Sequence, residues 1–137
     1  MNEQRRMFLI KFPYWLGIAA DAFWAIALLF PQVFGSLMGE SNFNPDLQLK
    51  LMMGIGGTLM TGWTFLLVWG VRKPIERRFI ILLTAFPVVF GLFIVTLLGA
   101  TAGSSSSTWI LIKCSILFIT MVLSYILAGK AAKRQEF

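Results

Sequence analysis

Residues 51–99 read LMMGIGGTLMTGWTFLLVWGVRKPIERRFIILLTAFPVVFGLFIVTLLG. Two apolar runs, 51–71 and 79–99, flank the short basic turn VRKPIERR. Each run is close to the ~20 residues that cross a hydrocarbon core of ~30 Å. No water is available there to pair with backbone groups, so each run must be a helix. The turn is too short for anything except antiparallel neighbours. The fold follows from this hairpin.

A further apolar run covers 13–34 and another covers 108–128. The sequence therefore predicts an all-α, integral membrane four-helix bundle, a single membrane-embedded domain over residues 1–137. Composition agrees. Hydrophobic residues make up 58% of the chain and charged residues 13%, about half the charged share of an ordinary soluble domain. Mean hydropathy is +0.79.

The connections are readable too. NFNPDLQLK (42–50) predicts Asn44 as N-cap, Pro45 as first helical residue and Asp46 in the first turn. Pro74 is expected to start the third helix, and GATAGSSSST (99–108) to form a small uncharged loop.

Basic residues fix an orientation. Arg5, Arg6 and Lys11 lie on the N-terminal arm, Arg72, Lys73, Arg77 and Arg78 in the second connection, and Lys130, Lys133 and Arg134 on the tail. Four spans put all of these on one side, with Lys50, Glu40 and Asp46 on the other. The positive-inside rule then predicts a multi-pass cell-membrane protein with both termini cytoplasmic. The same bias accounts for the net charge of +6 without nucleic acid, and the basic face should attract anionic membrane lipids. The first run is read as a retained span and not a cleaved signal, being long, acid-bearing and without a small-x-small site at its end.

The chain has no histidine and one cysteine. No His-ligated metal, intrachain disulfide or CxxC redox pair is therefore expected. No cofactor is implied. No nucleophile–His pair, intramembrane carboxylate pair or phosphate loop appears, which argues against an enzyme.

Each span carries one small or polar stripe at helical spacing. These are Gly17, Asp21 and Trp24 in the first span, and Gly54, Gly57, Thr58, Thr61 and Gly62 in the second. The third has Thr84, Pro87 and Gly91; the fourth has Lys113, Thr120 and Ser124. Such stripes commonly serve close helix packing, and Trp15, Trp69 and Trp109 read as interfacial anchors. Asp21 demands more. It lies roughly 12 Å into the first span at 1.5 Å per residue, where an acid costs about 2.5–3.5 kcal/mol to insert. It must be paired, hydrogen-bonded or neutral. Counting depth along the other spans brings Thr61, Thr84, Thr120 and Ser124 to its layer. Lys113 reads either as a snorkelling lysine or as the outer member of a relay with Asp21.

The expected ligand-binding residues are Asp21, Trp24, Thr58, Thr61, Thr84, Lys113, Thr120 and Ser124. Their expected occupant is a lipophile such as a lipid or quinone, held between helices. An accessory-subunit role and an oligomeric proton- or cation-linked transporter using Asp21 are the alternatives. Partners are expected to be membrane lipids, such a lipophile, further copies of the chain or a larger membrane complex.

In layout, LLFPQVFGSLMG (28–39), NPDLQLKLMMGIGGTLMTGW (44–63) and RKPIERR (72–78) resemble the small DoxX-like membrane proteins. The resemblance covers about residues 13–99. It implies a four-helix bundle with both termini inside. That group includes subunits linked to thiosulfate:quinone chemistry, whose redox residues have no counterpart here.

Overall fold

The computed structural model describes residues 3–101 and 105–135. Among them the regular structure is entirely helical. The order is α1 (Glu3–Leu29), α2 (Pro31–Met38), α3 (Leu47–Val71), α4 (Arg78–Leu83), a π-helical segment (Thr84–Val89), α5 (Phe90–Thr101) and α6 (Ser105–Gln135). Four stretches are long and apolar enough to cross a membrane: Glu3–Leu29, Leu47–Val71, Arg78–Gly99 and Thr108–Lys133. The pattern is that of a multi-pass membrane protein. Large apolar side chains project outward along every span, including Phe23 and Ile26, Leu59 and Phe65, Val95 and Leu98, and Ile116 and Ile119. In water such continuous apolar surface drives association; in hydrocarbon it matches its surroundings.

Several helix ends differ from the sequence reading. The first helix begins at Glu3 and takes Pro13 into its interior, so the helix starts ten residues before the apolar run. It ends at Leu29, short of residue 34. Phe30 turns extended (φ −118°, ψ 93°), and Pro31 opens the separate α2. The cause is the proline ring, which disfavours helical backbone in the preceding residue.

The N-cap of α3 is Asp46, not Asn44. Its Oδ1 accepts the Leu49 N–H at 2.8 Å, satisfying one of the unpaired donors of the first turn. The Asn44 Oδ1 instead accepts from the Lys50 amine at 3.4 Å. Pro74 lies in the turn, and the third span starts at Arg78. GATAGSSSST is also mostly helix: α5 runs to Thr101 and α6 begins at Ser105. Only residues 102–104 of that stretch lie outside the described residues.

Pro87 accounts for the π-helical segment. It has no N–H, and its ring clashes with the carbonyl four residues back. The helix widens from Thr84 to Val89, and the Phe90 N–H pairs with the Ala85 carbonyl, five residues back.

The chain divides into two compact units. One comprises residues 17–66, and its contacts join the end of α1 to the start of α3. A Cβ on Gly57 would stand 2.8 Å from the Leu29 Cγ, and one on Gly56 would stand 3.4 Å from the Leu28 Cδ1. Phe34 of α2 packs on Phe43, ring centroids 5.4 Å apart.

The other unit comprises residues 1–16 and 67–137, of which 3–16, 67–101 and 105–135 are described. The Ser124 hydroxyl of α6 donates to the Ile10 carbonyl of α1 at 2.8 Å. The Tyr14 hydroxyl donates to the Arg77 carbonyl at 3.1 Å. Arg77 lies 3.5 Å over the Trp69 ring and donates to the Trp69 carbonyl at 2.6 Å. Ile10, Ala128 and Ala131 form a buried cluster, with Ile75 and Leu127 against it.

Candidate functional site

Along α1 the buried positions Ile10, Tyr14, Gly17, Asp21 and Ala25 follow one another at helical spacing, with Pro13 and Ala27 buried beside them. Asp21 is 7% exposed. Its Oδ2 has no hydrogen-bond partner among the described residues. Most buried polar side-chain atoms have one, so an orphan asks for a reason.

The second helix supplies the facing level. Leu28 and Leu29 of α1 meet Gly56 and Gly57 of α3. Followed down two antiparallel helices of equal rise, that register puts Asp21 level with Trp63, Thr64 and Phe65, and Trp24 level with Thr61. Trp24 and Thr61 are both half-buried, and the Trp24 ring stands edge-on to Phe23 at 5.9 Å.

The expected stripe on α3 splits. Gly57 is tightly packed, and Thr61, one turn on, shares its face. Gly54 and Gly62 have nothing within 4 Å of an added Cβ, so the close contact expected at Gly62 is absent. Thr58 is exposed. The reason is angular: 58 and 62 lie one residue beyond 57 and 61, a rotation of about 100°.

The hydroxyls are engaged with backbone carbonyls. Thr58 donates to Gly54 and Thr61 to Gly57, both at 2.8 Å. Thr84 is buried and donates to Ile80 at 2.9 Å. Thr120 reaches the Ile116 and Leu117 carbonyls, and Ser124 ties to Ile10. Each hydroxyl has one proton, here directed to a backbone carbonyl. What the Thr58, Thr61 and Thr120 oxygens offer a ligand is acceptor lone pairs. Trp24, Thr58 and Thr61 belong with Asp21 to the unit of residues 17–66, and Thr84, Lys113, Thr120 and Ser124 to the other.

Lys113 is exposed. Its amine lies 5.1 Å over the Trp109 ring, one turn back toward the start of α6. That is the geometry of a lysine drawn toward the end of its span. The ion pairs among the described residues are Arg6–Glu3 and Lys73–Glu76, and neither involves Asp21 or Lys113. No group of three or more potential metal ligands occurs among the described residues.

Sequence reasoning missed a second cluster. Arg78, Tyr125, Ile126, Gly129, Lys130 and Lys133 line one groove. The signal was available in the four-residue spacings Tyr125–Gly129–Lys133 and Ile126–Lys130, which put these groups side by side on α6.

Fold and site together define a multi-pass helical membrane protein with one acid on a buried stripe. No protein-family profile, curated protein or solved structure matches the chain.

Proposed function

We propose that this chain is a four-helix bundle of the cell membrane, both termini cytoplasmic, that binds a lipophilic ligand through Asp21. The observation that carries the reading is the Asp21 Oδ2, buried without a partner among the described residues. A buried polar atom left unpaired costs about 1–3 kcal/mol. A ligand that hydrogen-bonds it recovers that cost. A carboxylate there accepts from a hydroxyl, and a neutral carboxyl donates to a carbonyl. A lipid or quinone-like molecule with such a polar end suits it, with Trp24 and the Thr61 oxygen beside it. The resemblance of residues 13–99 to DoxX-like proteins in layout is in keeping with the bundle part of this reading, and the collection of basic residues in the N-terminal arm, the second connection and the tail supports the orientation. A transport path would need Lys113 directed inward, and its place over Trp109 does not favour that.

The test is extraction and native mass spectrometry of the purified protein beside Asp21→Asn and Asp21→Leu. The wild type is expected to carry a lipophile with a hydroxyl or carbonyl end. Asp21→Leu is expected to fold at least as well, because a polar burial is removed, and to lose that mass. Asp21→Asn, which keeps shape and hydrogen bonding, is expected to retain part of it. Retention in Asp21→Leu would overturn the assignment, and unfolding of Asp21→Leu would make Asp21 a structural tie instead.

A further inference from the structure

Three cations meet in one groove without a counter-ion among the described residues. Arg78 opens α4, and Lys130 and Lys133 stand near the end of α6. The Arg78 Nη1 lies 3.5 Å from where a Cβ on Gly129 would be, so the guanidinium rests against nearly bare helix backbone. Tyr125 and Ile126 complete the lining. The groove holds about 260 Å³. That is less than the roughly 300–1,000 Å³ of pockets that enclose a whole drug-sized ligand, and it suits a headgroup whose chains lie outside.

No ion pair among the described residues involves Arg78, Lys130 or Lys133. Glu3 and Glu76, the described acids of this unit, pair with Arg6 and Lys73. Glu136 lies outside the described residues. Three like charges converging in this way repel one another, and a bound anion relieves that. The polar end of a span is also where phosphates of a bilayer sit, and where Lys and Arg stems reach for them. Ile126, 47% exposed, offers an apolar flank for an acyl chain.

We infer that the groove formed by Arg78, Tyr125, Gly129, Lys130 and Lys133 seats an anionic phospholipid headgroup carrying more than one negative charge. A phosphate monoester carries about −1.5 to −2 at neutral pH and balances three cations better than a phosphodiester does. The seat rests on the membrane-protein reading of the chain but not on Asp21.

The experiment is titration of the delipidated protein in a neutral detergent with phosphatidic acid, phosphatidylglycerol or phosphatidylcholine, read by native mass spectrometry. Phosphatidic acid is expected to bind tightest. Lys130→Gln with Lys133→Gln removes two exposed charges and is expected to weaken it on the order of thirtyfold. Arg5→Gln with Arg72→Gln removes the same charge from exposed sites elsewhere and is expected to change it less than about twofold. Three results would overturn the seat: equal weakening by both pairs, equal binding of phosphatidylglycerol, or displacement by inorganic phosphate at matching concentration, which would assign the site to free phosphate. Asp21→Leu in the same titration is expected to bind phosphatidic acid like the wild type, so this inference and the Asp21 reading fail separately.

Discussion

Ser124 and Thr120 are one helical turn apart, and both donate to backbone. They do different things. Thr120 bonds the carbonyls of its own helix three and four residues back, a pattern that is stabilising nowhere in particular and slightly bends a helix. Ser124 reaches a carbonyl 114 positions away and joins α6 to α1. Tyr14 makes a comparable tie across 63 positions. Ser124→Ala and Tyr14→Phe should each lower stability in detergent by about 1 kcal/mol, with the Ile10 or Arg77 carbonyl left without that donor. Thr120→Ala should cost less than half as much. Thermal unfolding of the three variants under identical detergent conditions checks this, and an equal loss in Thr120→Ala would refute the distinction. The sequence marks all of these as polar groups at membrane depth. It does not show which carbonyl each proton meets, because a hydroxyl on a helix always has its own i−4 carbonyl in reach.

At the scale of the element, GIGGTLMTG illustrates what a periodicity can and cannot resolve. It marks α3 as a helix with small side chains on one side. It leaves open which small residue faces the neighbour, since 54, 57, 58, 61 and 62 share an arc wider than one contact. Only packing narrows it, and Leu29 chooses Gly57. Gly57→Ala should therefore cost about 1–3 kcal/mol by overpacking against the Leu29 side chain and backbone, while Gly62→Ala, in open space, should be neutral or slightly stabilising through helix propensity. Unfolding midpoints in detergent decide it; equal effects at the two positions would mean that Gly57 is not at a close contact. The helix ends were harder to read for a related reason. An apolar run delimits what lies in hydrocarbon, whereas a helix continues until its backbone is stopped. Hence α1 begins ten residues before Pro13, Asp46 caps α3 in place of Asn44, and Ser105 already lies in α6. Pro31 does stop a helix, and Pro87 only widens one.

At the scale of the molecule, the spans were legible because burial in lipid imposes length and composition together. Asp21 was legible by its cost, and its orphaned oxygen was not, since that depends on what surrounds it. Orientation follows from charge and not from helix geometry, so it needs its own measurement. The 31 residues of α6 extend about 45 Å at 1.5 Å per residue, enough to cross the hydrocarbon core and both interfaces. An α6 that crosses has its two ends on opposite sides. Cys114 is buried, so a Cys114→Ala background removes the native thiol at modest cost. Single cysteines at Ser105 and Gln135 should label from opposite faces in intact cells: Ser105 by an impermeant maleimide added outside, Gln135 only after permeabilisation. The basic residues at 130 and 133 make the second half of that result the expected one. Labelling of Gln135 from outside with Ser105 protected would invert the orientation, and labelling of both from one side would mean that α6 does not cross.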